Sequence, residues 1–299
     1  MANTSARMLS SAVTTYRGRY TTPERWARWL PRLGDIIVST PPKSGTTWTQ
    51  TMLAMLLNGG ADLPAPVSVL SPWLDGRFDE TDATAVDAAL EAQTGRRVVK
   101  THTPADGFPR WDGVTVVAVY RHPLDVFFSL RAHAANTANQ PDHPMRRPLG
   151  EALREFLTRP ADLDDFDRDT LATIVRHYSE TVLSGRAGRD AVLHYADMVA
   201  DRAGAIRQLT AALQINADDA LQQEVVRATG LAAMKENAGR YAPMAETGFW
   251  ISDQAFFHSG GSGKWQGHLD QAQLDLYNRR IAELVSDSAA RRWLEQGGR

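Results

Sequence analysis

Asp35-Ile36-Ile37-Val38-Ser39-Thr40-Pro41-Pro42-Lys43-Ser44-Gly45-Thr46-Thr47-Trp48 is the stretch on which the reading of this chain turns. DIIVST (35–40) is short and β-branched, as a buried strand is. PPKSGTT (41–47) is a loop of Pro, Gly and hydroxyl residues. TWTQTMLAMLLNG (47–59) carries apolar residues at helical spacing and ends at Asn58-Gly59, a C-cap signal. Strand, loop and helix start in this order aim several backbone N–H groups at one spot, and the helix dipole adds partial positive charge there. Lys43 contributes a full charge, and Thr46 and Thr47 contribute hydroxyl donors. The loop is predicted to hold one phosphate or sulfate group. It is not the G-x-x-x-x-G-K-[ST] loop of ATPases and GTPases, because Lys43 precedes the glycine and no first glycine stands upstream at that spacing. No Walker-B acid follows either, since VTVVAVYR (114–121) ends in Arg. A magnesium-bound nucleoside triphosphate is therefore disfavoured. Ser-Gly-Thr-Thr by itself would serve as a capped helix start. Its place behind a strand and beside Lys43 is what points to an anion.

Outward from this stretch, strands alternate with helices. RVVKTH (97–102), VTVVAVYR (114–121) and AVLHYADM (191–198) read as strands. The second of these is almost continuously apolar, as a strand buried on both faces should be. Helices are predicted over 124–134 behind Pro123, and over 149–159, 170–187, 202–214, 218–228 and 270–296. The lead-in 1–34 reads as partly helical, with Trp26, Trp29 and Leu30 at helical spacing. TANQPDHPMRRP (137–148) reads as a mobile surface loop, and 238–268 as a long Gly-rich loop of the kind that carries function. The pattern predicts an α/β fold, a three-layer parallel sheet flanked by helices on both faces, with 1–299 as one domain and 238–268 as its lid. Ligands in such sheets bind beyond the carboxyl ends of the strands, where 40–47, 100–104 and 121–129 lie.

Composition narrows the function classes. Net charge over the 299 residues is −2, so no global basic field recruits nucleic acid or an anionic membrane. The absence of cysteine removes disulfides, thiolate metal sites and cysteine nucleophiles. No apolar run reaches the ~18 residues that span a bilayer. The N-terminus lacks a long apolar secretory core, so a cytoplasmic location is expected. The basic residues comprise 29 Arg and only 4 Lys, at 43, 100, 235 and 264. A lysine is a compact charge on a flexible stem, suited to following a small anion through a reaction.

The heptapeptide Pro42–Trp48 closely resembles the 5′-phosphosulfate loop of sulfotransferases that use PAPS (3′-phosphoadenosine 5′-phosphosulfate), the cytosolic type and its bacterial relatives. That resemblance implies a P-loop-like fold and a sulfotransferase. It implies that Lys43 contacts the leaving phosphate and the transferring group, that Ser44, Gly45, Thr46 and Thr47 hold the 5′-phosphate, and that Trp48 stacks on adenine. Val98–Pro104 is similar to the family's KTHxP motif. His102 is then the general base on the acceptor hydroxyl, a role its unperturbed pKa near 6.5 permits, and Lys100 steadies the transferring group. Arg121 at a strand end and Ser129 eight residues on resemble the family's 3′-phosphate pair, and an Arg fork suits phosphate oxygens. His122 reads as a packing or capping residue, and Asp125 as favouring the helix dipole.

Weaker matches follow. Leu193–Met198 resembles the segment whose tyrosine, here Tyr195, approaches the adenine. Thr229, Leu231 and Met234 resemble an adenine-side segment. Phe257–Trp265 has the spacing R-x-G-x-x-G-x-W, with His258 in place of the usual Arg, Ser259 in place of a frequent Lys, and Gly260 retained. Two cations are missing there, which predicts weakened donor binding, with Arg240 as a candidate replacement. The dimerisation segment of animal members is not recognisable. The implied donor is PAPS and the product PAP (3′-phosphoadenosine 5′-phosphate), without a metal. The expected partner is a small hydroxyl-bearing acceptor, with neither nucleic acid nor membrane. Trp73, Phe78, Phe108, Trp111, Phe249, Trp250 and Phe256, in the loops expected to wall its pocket, suggest an aromatic or hydrophobic one. A small-molecule kinase and a non-catalytic PAP-binding module are the competing readings. The first lacks its Walker motifs, and the retention of Lys43 and His102 argues against the second.

Overall fold

Ile36, Ile37 and Val38 are at most 1% exposed, and they sit in the middle of a parallel sheet. The computed structural model describes residues 4–77 and 80–298. Its strands are β1 (Met8–Ser10), β2 (Ile36–Ser39), β3 (Val98–Thr101), β4 (Arg110–Trp111), β5 (Thr115–Tyr120) and β6 (Val192–His194). The four-stranded sheet has the order β3-β2-β5-β6, and every pairing in it is parallel. β1 and β4 form a separate antiparallel pair. The principal helices are α1 (Thr46–Asn58), α2 (Val67–Leu70), α3 (Glu80–Ala92), α4 (Pro123–Ala135), α5 (Leu149–Thr158), α6 (Leu171–Tyr178), α7 (Tyr195–Ala200), α8 (Arg202–Ala212) and α9 (Asp219–Ala228). They continue with α10 (Leu231–Glu236), α11 (Ala238–Tyr241), α12 (Asp253–Phe256), α13 (Gln271–Leu284) and α14 (Ser288–Gln296).

Side-chain alternation along the strands builds the three layers. Ile36, Val38, Val98, Val117, Val119 and Leu193 face α1, α8 and α9. On the other face Ala118, Tyr120 and Val192 pack on α4, α5, α6 and α13. Ile37 and Val99 extend that second face under Trp26, Trp29, Phe108 and Trp111. Both faces are covered, which is why these strands have no polar alternation.

Several boundaries differ from the sequence reading. The strand expected over 191–198 ends at His194, and Tyr195 already begins α7. The helix expected over 170–187 closes with a π turn at Ser179–Leu183. That over 270–296 is two helices, broken before Asp287, which caps α14. In the lead-in only Pro23–Ala27 is helical, as a 3₁₀ turn; Trp26 and Trp29 are buried but Leu30 is 72% exposed. The segment 137–148 is pinned rather than free. Thr137 bridges Trp250, Arg146 donates to the Thr137 carbonyl, and Met145 is buried. The segment 238–268, expected as a long loop, contains α11 and α12. No helix among the described residues is long and apolar enough to cross a membrane.

Candidate functional site

The carboxyl ends of all four parallel strands empty into one crevice. β2 leads into 40–45, β3 into 102–104, β5 into Arg121 and β6 into Tyr195. The first loop makes its turn through two left-handed residues, Lys43 at φ 63° and Gly45 at φ 116°. For lysine this conformation is sparsely populated and costs of the order of 1 kcal/mol or more, so the surroundings must hold it. Gly45 caps α1 without a side-chain hydrogen bond. The first-turn N–H groups of α1 have no intrahelical acceptor and face the loop. A Cβ at Gly45 would stand 3.1 Å from Tyr195 Cδ2. Gly45→Ala is therefore expected to lower stability by about 1–3 kcal/mol and to weaken anion binding with it; thermal melting with and without added sulfate reads both.

The hydroxyl residues of this loop are not equivalent. Ser44 is fully buried, and its Oγ has no partner. Thr46 Oγ1 is 2.5 Å from Thr40 Oγ1. Thr47 alone of the three keeps a half-exposed side chain. Trp48 donates from Nε1 to the Thr229 carbonyl (2.9 Å) and meets Tyr195 edge-on at 5.5 Å. Thr229 itself is 1% exposed and its hydroxyl bonds back to the Val225 carbonyl. Thr229 thus reaches the crevice through Trp48, not by its own side chain. Leu231 is 37% exposed and lies against Gly260.

Alternation along β3 puts Lys100 and His102 on one face. His102 Nδ1 lies 2.8 Å from the Thr40 carbonyl, which only accepts, so Nδ1 carries the proton and Nε2 the lone pair. The Lys100 ammonium donates to that Nε2 at 3.1 Å. Burial first, and Lys100 next, hold the His102 imidazole well below its usual range, so it is neutral. Trp73 meets His102 edge-on at 5.1 Å, and Lys100 Nζ sits 3.9 Å over the Trp73 ring. Trp73 is placed by a parallel bridge to Lys100 and by its indole N–H, which donates to Asp75. Asp75 is fully buried and also accepts from Thr101, Thr103 and Trp26. A second buried relay lies behind. Tyr120 donates to His177 Nδ1, His177 Nε2 to Ser39, and Ser39 to the Thr103 carbonyl. Both relays fix the 101–103 turn that carries His102.

Lys43 Nζ lies 2.9 Å from His133 Nδ1 and 4.5 Å from the Phe256 ring centroid. Burial, then Arg121, brings its ammonium down to about 7; burial brings Lys100 to about 8. Arg121 is 3% exposed. It donates to the carbonyls of Lys43 (3.4 Å) and Gly261 (2.9 Å), and its guanidinium carbon stands 4.3 Å over the Tyr195 ring. Its Nε is buried without a partner. Ser129 is half-buried two turns into α4. His122 caps that helix and stacks on Trp265 and Tyr277.

Several residues of the site had no role or a lesser one in the sequence reading. Asp125, read only as a favourable charge on the helix dipole, is fully buried and accepts from the N–H groups of Gly263 (2.8 Å) and Lys264 (2.7 Å). It clamps the C-terminal loop onto α4. Lys264 is half-buried, and burial, with Arg121 next, lowers its ammonium to about 8. Its charge acts on both Arg121 and His258, while His258 and Ser259 are exposed and engage each other at 3.0 Å. Arg240, the expected substitute, turns away to the Leu63 carbonyl and Asp62. Asp125, Ser129 and His133 share one stripe of α4 at four-residue spacing; that spacing was the available signal for His133. Asp75 carried no such signal. Among the described residues no cluster of His, Asp and Glu is placed to hold a metal ion.

The aromatic wall divides in two. Trp73, Phe249, Trp250 and Phe256 form the side facing Lys43, Lys100 and His133. Phe108 and Trp111 instead pack in the core with Trp26 and Trp29. Trp111, Trp26 and Trp29 line a separate cavity of about 470 Å³ that touches none of Lys43, Lys100, His102 or Arg121. Phe78 lies outside the described residues.

Residues 33–289 match the sulfotransferase domain family. The chain belongs to the sulfotransferase family. It is 34% identical to a glycolipid sulfotransferase of Mycobacterium bovis, over 95% of this chain and 94% of that one. The fold is that of mouse sulfotransferase SULT7A1 complexed with PAP, at a TM-score of 0.68 and 19% identity, over 92% of this chain and 93% of that one. It is equally that of retinol dehydratase in complex with retinol and PAP, at a TM-score of 0.68 and 20% identity, over 88% and 84%. This sulfotransferase has a three-layer α/β architecture with its cationic crevice at the carboxyl edge of the sheet.

Proposed function

We propose that the protein transfers the sulfuryl group of PAPS to a hydroxyl of an amphiphilic small molecule, and that 1–299 acts as one catalytic unit. The observation that carries this reading is the convergence of Lys43, Lys100, His102 and Arg121 on one crevice, with His102 neutral and its Nε2 lone pair turned toward the lysine. The 5′-phosphosulfate lies on the N-terminus of α1, held by first-turn N–H groups and Thr47. Trp48, Tyr195 and Leu231 frame the adenine. Arg121, Ser129 and Lys264 take the 3′-phosphate, with Lys264 in place of the absent loop cations.

Sulfuryl transfer is an in-line displacement, so positioning and charge stabilisation dominate. The acceptor oxygen attacks sulfur while its proton passes to His102 Nε2. The bond from sulfur to the bridging oxygen breaks, and its electron pair leaves on PAP. Lys43 neutralises the charge growing on that oxygen. Lys100 releases His102 and turns to the equatorial oxygens. The Nδ1–H bond to Thr40 holds the imidazole throughout. Trp73, Trp250 and Phe256 suit an apolar body on the acceptor, and the relative's name points to a glycolipid.

Calorimetry without magnesium tests the donor reading. PAP is expected to bind in the micromolar range and adenosine 5′-phosphate much more weakly. Absence of PAP binding rejects it, and binding without turnover on any acceptor favours a non-catalytic module.

A further inference from the structure

Beside His102 the crevice narrows to a niche of about 20 Å³, lined also by Pro41, Asp167, Asp169, Thr173 and His177. That is room for one hydroxyl-sized group. Nearly every polar group around it is already engaged. Asp167 accepts from Tyr20 N–H and Thr21 Oγ1, both at 2.6 Å. Thr173 is tied into the cap of α6. Both nitrogens of His177 belong to the relay between Tyr120 and Ser39. His102 Nδ1 is held by Thr40. Asp169 is the exception. It is half-buried, lines the niche, and makes no hydrogen bond or ion pair with any described residue.

The Asp169 carboxylate is only half-buried, so it is open to a hydrogen bond from whatever group enters the niche in place of water. Burial, with Asp167 next, raises Asp169 to about 7, and Lys43 opposes that rise. At and above neutral pH the carboxylate form is present, and it only accepts, so the partner it takes there is a donor. Lys43 already supplies positive charge near Asp169, so the group still to be bound need not be a cation. A neutral hydroxyl meets both conditions.

We propose that Asp169 accepts a hydrogen bond from a second hydroxyl of the acceptor, adjacent to the one that reacts at His102, so that the enzyme selects vicinal polyols, sugar head groups above all, over monohydroxy compounds. The niche touches both residues, and a one-group space between them fits neighbouring hydroxyls of a single ring. This rests on the sulfotransferase reading above and specifies its acceptor.

The test compares n-octyl β-D-glucopyranoside with 4-octylphenol as acceptors for PAPS, using the wild type, Asp169→Asn and Asp169→Ala, with PAP affinity measured on each. The alkyl chain is shared, so the ratio of kcat/KM for the two reports the head group alone. Any influence of Asp169 on Lys43 acts on both acceptors and cancels. The glucoside-to-phenol ratio is expected to fall about tenfold to a hundredfold in Asp169→Ala, the usual size of a hydrogen bond to a charged group. Asp169→Asn, which keeps a carbonyl acceptor, should fall less. An unchanged ratio overturns the proposal, and so does a wild type that sulfates the phenol but not the glucoside. Transfer to neither acceptor by a wild type that binds PAP overturns it while leaving the donor site intact. Failure of the wild type to bind PAP rejects the sulfotransferase reading itself and this proposal with it.

Discussion

His102→Ala is expected to lower kcat by about 10²–10⁴-fold, the usual contribution of a positioned base, while PAP still binds with wild-type affinity. The imidazole touches the Thr40 carbonyl, Lys100 and Trp73, and makes no contact with the first-turn N–H groups of α1. Retained turnover would refute the assignment. The pH profile carries a second signature. His102 is held well below its ordinary range, chiefly by burial and then by Lys100, so it is ready as a base throughout the neutral region. The lysines must instead be protonated, and in the free protein they sit at about 7 for Lys43 and about 8 for Lys100. For a cation with a lowered pKa, activity that needs the charge is present below that pKa and lost as pH rises through it. kcat/KM should therefore decline between about pH 7 and 8, with no acid limb near 6.5. In kcat the decline should move to higher pH, because the bound anion favours the protonated lysines. Lys100→Ala should raise the His102 pKa and bring an acid limb upward. An acid limb near 6.5 in the wild type would show that His102 is not held buried beside Lys100 in solution.

Arg121→Ala is expected to weaken PAP about 100-fold, near 2.7 kcal/mol, and adenosine 5′-phosphate far less. Loss of a bidentate, charge-assisted contact is of this size. Arg121→Lys should recover only part of it, since an ammonium keeps the charge but not the fork. The two nucleotides are needed because the Arg121 side chain also ties together the Lys43 and Gly261 carbonyls. Were its role only to brace those loops, both nucleotides would weaken equally. A melting curve without ligand measures the brace separately.

Much of this architecture was legible before any coordinates. Ile36–Ser39, the 41–47 turn and α1 follow from β-branching, loop chemistry and helical periodicity, all of which act between near neighbours. The pairing of Lys100 with His102 is likewise local, because residues two apart on a strand share a face. Arg121 at the end of an apolar strand belongs to the same class. Other features joined residues that no period or spacing connects. Asp125 and Lys264 are 139 positions apart, and the peptide N–H that joins them carries no signature in sequence. Asp75 reaches Trp73 through a turn but Thr101 and Thr103 across the sheet edge. The 90-residue step from Lys43 to His133 depends on how α4 lies over the loop after β2. Tertiary packing also sorted like residues into unlike roles. Trp73 borders Lys100 and Phe256 borders Lys43 while Phe108 and Trp111 fill the core, and Lys264 interacts with Arg121 while Arg240 turns to Leu63 and Asp62. Asp167 found its donors and Asp169 did not. Local chemistry determined the strand–loop–helix cradle and the kind of group it attracts. Which side chains complete it was decided by long-range burial and hydrogen bonding, because those depend on distances between chain segments that sequence order does not contain.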